Sequence, residues 1–142
     1  METINMRGLI TRKLVLLLSG LTASGIAATI FFAPDAFYAS YEIDLAGNTN
    51  LTNELKASAG ALFVAGLLML LGVFRATLTF VSLVAAAAIY LAYGLSRFLS
   101  IAIDGIPHSS LVGAAIFEIA IGVACLLTLL SELKSYSERT TN

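Results

Sequence analysis

Charged residues stand between long apolar runs rather than within them. Residues 14–32 carry no charge, residues 57–74 lie between Lys56 and Arg75, and residues 76–96 are again uncharged. A fourth run, 109–131, holds the single charge Glu118. Crossing a hydrocarbon core about 30 Å thick takes about 20 apolar residues as a helix. The pattern therefore predicts transmembrane helices at 14–32, 57–74, 76–103 and 109–131, the third continuing past Arg97. Alternation at period two is absent, and the chain is too short to close a lipid-spanning barrel comfortably. The expected fold is all-α: a polytopic membrane protein, one domain over residues 1–142, built as an antiparallel bundle of four transmembrane helices.

The connections refine this. Arg75 alone separates the second and third helices, which predicts a tight hairpin. Pro34-Asp35 reads as a helix stop, and residues 33–56 form the only long loop. Phe37, Tyr38 and Tyr41 near its start suit a membrane interface. Gly47-Asn48-Thr49-Asn50 reads as a turn, and Asn50-Leu51-Thr52 reads as a chance match to a glycosylation sequon. The run 14–32 is longer than the apolar stretch of a signal peptide, about 7–15 residues, and no small-x-small site follows it. It is expected to remain as the first helix. With the N-terminus inside, Arg7, Arg12, Lys13, Arg75, Lys134 and Arg139 lie on the inner side, against Lys56 and Arg97 outside. The basic excess favours both termini in the cytoplasm.

Composition supports lipid as the solvent. Hydrophobic residues make up 58% of the chain and charged residues 12%, where a soluble domain carries about 25% charged. The net charge of −1 gives no basic bias toward nucleic acid. Cys125 is the one cysteine and His108 the one histidine. An intrachain disulfide, a Cys-x-x-Cys redox pair and bis-histidine haem ligation are therefore excluded within one chain. No metal site, cofactor or catalytic residue is assigned. The expected partners are membrane lipid and a small-molecule or lipid ligand, with a homo-oligomer left open. His108, in the turn after Asp104-Gly105-Ile106-Pro107, reads as a loop residue. Cys125 reads as an inert small hydrophobe.

Small residues suggest where helices meet, because packing replaces the hydrophobic effect as the driving force in lipid. Ala57, Ala61 and Ala65 stack four apart on the second helix. Gly113, Ala114, Ala120 and Ala124 serve the fourth.

The polar exceptions carry the candidate chemistry. Tyr90, Tyr93, Arg97, Ser100 and Asp104 are spaced three, four, three and four, one stripe on the third helix. Glu118, Cys125 and Thr128 share a face of the fourth helix, and Thr22, Gly25 and Thr29 a face of the first. A stripe holding Arg and Asp should face the bundle interior or water rather than hydrocarbon. Glu118 lies about 15 Å from the outer end of its helix and Arg97 about 10 Å from the end of its own. Arg97 and Glu118 are thus the natural ion pair, with Glu54 and Lys56 joining from above.

Arg97-Phe98-Leu99-Ser100 followed by Asp104-Gly105-Ile106-Pro107 resembles a segment of a bacterial membrane family, domain of unknown function 4345. Glu54-Leu55-Lys56 and Glu118 match two further positions of that pattern, with Lys56 standing where Arg is usual and Ser96 where Gly is common. The resemblance implies a four-helix protein of the cell inner (plasma) membrane and no established activity. The architecture is also similar in shape to the DoxX-like proteins.

Three functions are open. In the first, an outward-facing polar pocket centred on Arg97 and Glu118 binds a small or amphipathic molecule. Arg97 pairs an anionic group, Glu118 neutralises Arg97 when the site is empty, and Tyr93, Ser100, Asp104 and Glu54 contribute. In the second, a structural or accessory subunit uses the pair only to fix helix register. In the third, a lipid-modifying enzyme uses Glu118 as acid or base. Transport would need an oligomer, since no broken-helix repeat is present. The orientation is directly testable: a reporter fused after Asn142 is expected to be active only in its cytoplasmic form, and activity of a periplasmic reporter there would reverse the assignment.

Overall fold

A computed structural model describes residues 6–140; the side chains of Arg7 and of residues 135–140 lie outside that description. Arg7 and Arg139, two of the residues counted for orientation, are therefore among the side chains not described. The chain forms α1 (Met6–Phe32), α2 (Pro34–Ala39), α3 (Thr49–Phe74), α4 (Ala76–Asp104) and α5 (Ser109–Thr140). Four of these helices are long and apolar enough to cross a membrane, which makes this a multi-pass membrane protein. The element types agree with the sequence pattern, and the α3–α4 hairpin turns at Arg75 alone. That residue ends one helix and starts the next in an extended conformation, φ −117° and ψ 105°.

The long connection differs from expectation. Pro34 does not simply stop a helix: it occupies the first turn of α2, where its missing N–H costs nothing. Glu42 (φ 61°), Ala46 (φ 49°) and Gly47 (φ 67°) then turn the chain through the left-handed region. Asn48 caps α3, its side chain accepting a hydrogen bond from Leu51 N–H at 3.1 Å. This cap satisfies a donor that a helix N-terminus otherwise leaves free. It allows α3 to begin at Thr49, eight residues before the apolar run, so Thr49 and Asn50 are helical rather than part of a turn. At the far end, Gly105 (φ 102°) breaks α4, and His108 Nδ1 accepts from Ser110 N–H as α5 begins. The loop histidine therefore has a local structural task.

Two tight pairs build the bundle, α1 on α3 and α4 on α5, and the α3–α4 hairpin joins them. Arg12 Nη1 donates to Glu132 Oε2 at 3.1 Å, which ties the start of α1 to the later part of α5. The start of α1 and the later part of α5 thus lie at one end of the bundle, while the 33–48 connection and the 105–108 turn lie at the other, the loop end.

Close approach rests on glycine and hydroxyl positions. Gly66 on α3 lies against Ser24 of α1, so close that a methyl group there would collide with it. On the other pair, a methyl at Gly122 would meet Leu91 side-chain carbons at 2.8 Å and its backbone nitrogen at 2.9 Å. Two hydroxyls bind across the hairpin: Thr79 donates to Gly72 O at 2.9 Å and Ser82 to Leu68 O at 2.7 Å. Of the alanine stripe expected on α3, only Ala65 packs against the core. Ala57 and Ala61 are exposed, and the buried face is Ala59, Gly66, Met69 and Gly72. On α5, Gly113 has open space beside it. Four-residue spacing names a face, but not which of several small-residue faces meets a neighbour.

Gly122→Ala is expected to lower stability by about 1–3 kcal/mol, the usual cost of overpacking. Gly113→Ala should be neutral or stabilising by up to about 1 kcal/mol through helix propensity. Unfolding in mixed detergent, followed by helical content, measures both.

Candidate functional site

At the loop end the helices separate around a cavity of about 430 Å³, within the usual size range of small-molecule sites. Each wall is one face of a helix. From α1 come Thr22, Ile26 and Ile30, spaced four apart. From α3 come Leu55, Ser58, Ala59 and Leu62, at i, i+3, i+4 and i+7. On α4, Ile89, Tyr90, Tyr93 and Arg97 face inward, and α5 supplies Phe117 and Glu118. These are the positions that a helix presents on one side.

The charged wall is a single contact. Arg97 Nε–H donates to Glu118 Oε2 at 2.9 Å, joining α4 to α5. The Glu118 side chain is 14% exposed and that of Arg97 35%. A guanidinium has five N–H donors in a planar fork. Using Nε leaves the Nη edge able to meet a further acceptor, as charge-assisted bonds to planar groups require. Among the described residues, Arg97 and Glu118 are the only charged ones in the wall, and their formal charges cancel.

Above them lies an aromatic rim that the sequence pattern placed only at the membrane interface. Phe37 packs edge-on against Tyr38, with ring centroids 5.2 Å apart, and against Tyr41 at 5.3 Å. Edge-to-face packing of this kind is favoured by ring quadrupoles. Phe37 and Tyr38 also pack on the buried group Ala27, Ile30 and Ala59, which holds α2 against α1 and α3. Burial pushes the Tyr38 phenol above its usual value of 10.0. The neighbouring Tyr93 and Tyr41 add to this shift and Arg97 opposes it. The rim therefore offers a neutral hydroxyl at ordinary pH.

The floor is a buried polar junction. Tyr90 O–H donates to Ser19 O at 2.7 Å, and Ser19 Oγ lies 3.4 Å from Cys125 Sγ while donating to Val15 O. Ser19 and Cys125 are both fully buried. Ser19 sits inside an apolar run with no polar partner in sequence, so nothing in its local pattern singles it out.

Of the six residues expected to bind a ligand, Arg97, Glu118 and Tyr93 line this cavity. Ser100 and Asp104 do not. They lie further along α4, exposed, with Ser100 Oγ donating to Asp104 Oδ2 at 2.9 Å. Glu54 is exposed at the start of α3, one residue before the face formed by Leu55, Ser58 and Leu62. Neither Glu54 nor Lys56 reaches the Arg97–Glu118 pair in any ion pair among the described residues. Thr29 and Thr128 bind carbonyls of their own helices, at Gly25 and Ala124, rather than a shared axis. No group of three or more His, Cys, Asp or Glu suited to a metal occurs among the described residues.

Residues 11–129 match the family described as Domain of unknown function (DUF4345), and the chain belongs to that family. No curated protein and no solved structure matches the chain significantly.

Arg97→Ala strands a largely buried carboxylate. It is expected to cost about 1.5–3 kcal/mol, the range for hydrogen bonds to charged groups. Glu118→Gln, which still accepts from Arg97, should cost less. Thermal unfolding in the same detergent compares the two.

Proposed function

We propose that this DUF4345 protein binds a small amphipathic molecule in the loop-end cavity beside Arg97 and Glu118. The membrane in this reading is the bacterial inner membrane, with both termini cytoplasmic and the cavity on the outer half. One observation supports the proposal above the others: a cavity of about 430 Å³ between the helices, whose wall is mostly apolar, with one ion pair and the hydroxyls of tyrosines, Thr22 and Ser58 as its polar groups. Sites of this composition fix a ligand's orientation with few polar groups and gain affinity from apolar surface. Arg97 and Tyr93 meet the polar end, while Ile26, Leu62 and Ile89 take the apolar part.

A second reading has its own support. The 2.9 Å contact joins α4 to α5, and an ion pair can set register with no ligand at all. On that reading Arg97→Ala with Glu118→Ala regains the stability lost in either single change, and nothing else is altered.

The test is native mass spectrometry after extraction in a gentle detergent. The binding reading expects one small co-purifying species with the natural protein. That species is expected to be lost in Leu62→Trp, which fills the cavity while helical content is retained. No adduct, or an adduct indifferent to Leu62→Trp, leaves only the structural reading.

A further inference from the structure

The charges of the cavity limit what its occupant can be. Glu118 and Arg97 are both in the wall and already satisfy each other through Nε and Oε2 at 2.9 Å. An anionic head group at the Nη edge of Arg97 puts two anions on one guanidinium, and one that displaces Glu118 leaves a carboxylate with only 14% of its side chain exposed and no cation. Taking the partner from one side of such a pair is strongly unfavourable. A cationic head meets the mirror problem at Arg97. An uncharged head disturbs neither member. It can accept from the free Nη edge of Arg97, donate to Glu118, and meet the hydroxyl of Tyr93 or Tyr38 at the rim.

Size and depth bound the rest. From Arg97 to Tyr90 is seven residues along α4, about 10 Å at 1.5 Å per residue. That distance runs beside Ile26, Leu62 and Ile89 down to the closed Tyr90–Ser19 contact. A volume of about 430 Å³ suits one slender chain.

We infer that the cavity selects a single-chain amphiphile with an uncharged, hydrogen-bonding head, such as an alcohol, glycerol ester or amide, and discriminates against phosphate, carboxylate and ammonium heads of the same chain length. The inference rests on the cavity-binding reading above and replaces the anionic group that Arg97 alone suggests. Selectivity comes from compensated charge rather than from attraction.

Three probes with one chain length separate the possibilities: monodecanoylglycerol, decyl phosphate and decyltrimethylammonium. Each is titrated into the full chain in zwitterionic-lipid nanodiscs, with bound probe counted by native mass spectrometry and Leu62→Trp as the filled-cavity control. The glycerol ester is expected to bind at least tenfold more tightly than either charged probe. Glu118→Gln, which uncovers the Arg97 charge, should shift preference to decyl phosphate. Arg97→Gln, which uncovers Glu118, should shift it to decyltrimethylammonium. Either variant that keeps its helical content tests the ranking by itself. A natural protein that prefers a charged probe, or a ranking unchanged in the variants, overturns the head-group inference while leaving cavity binding in place. If no probe binds in a manner sensitive to Leu62→Trp, both readings fall.

Discussion

The Arg97–Glu118 ion pair is the constraint around which the loop end is organised. Intramembrane charges are costly and persist where they face protein or water-filled space. Here one charge comes from each helix of the α4–α5 pair, and the two meet at 2.9 Å. Satisfying both charges without hydrocarbon contact requires α4 and α5 to turn these faces inward together. The same rotation brings Tyr90 and Tyr93 inward on α4 and Phe117 inward on α5. The rim then follows, because Phe37 and Tyr38 settle on apolar positions of α1 and α3 next to the pair. Contact and cavity are thus two consequences of one placement.

The rest of the bundle uses the devices that lipid leaves available. Without a hydrophobic effect between helices, close packing and interhelical hydrogen bonds hold them together. Glycines at 66 and 122 bring backbones near their neighbours, and the Thr79 and Ser82 hydroxyls bind carbonyls across the hairpin. At the opposite end Arg12 and Glu132 link the first and last helices near their polar flanks. The loop end, by contrast, opens around its cavity.

Much of this was legible in the sequence, for physical reasons. Four helices follow from apolar length alone, and the hairpin follows from the lone Arg75. Helical spacing put Tyr93 and Arg97 on one face, and depth counting put Glu118 opposite. Counting does not mark where the cavity stops: the stripe continues to Ser100 and Asp104, which lie beyond its wall, and a single residue of rotation separates the exposed Glu54 from the cavity face. The aromatic rim was hidden because Phe37, Tyr38 and Tyr41 belong to a six-residue helix and the turn after it, too short for periodicity to declare a face. Ser19 was hidden because one hydroxyl in an apolar run has no local signature. Its role depends on Tyr90 and Cys125, which are distant in sequence. Which small residues form an interface is likewise a tertiary fact: the exposed Ala57 and Ala61 share the spacing of a packing stripe.

Everything at the loop end turns on Glu118 being an ionised partner of Arg97 in the wall of a cavity whose charges cancel. The infrared spectrum of the protein in lipid, taken as a difference between the natural chain and Glu118→Gln, reads this directly. The band lost on substitution is expected to be a carboxylate stretch at neutral pH, shifted in position when Arg97 is replaced by Gln. If the lost band is instead the carbonyl stretch of a protonated acid, the ion pair does not exist in the membrane and the cavity's charges do not cancel.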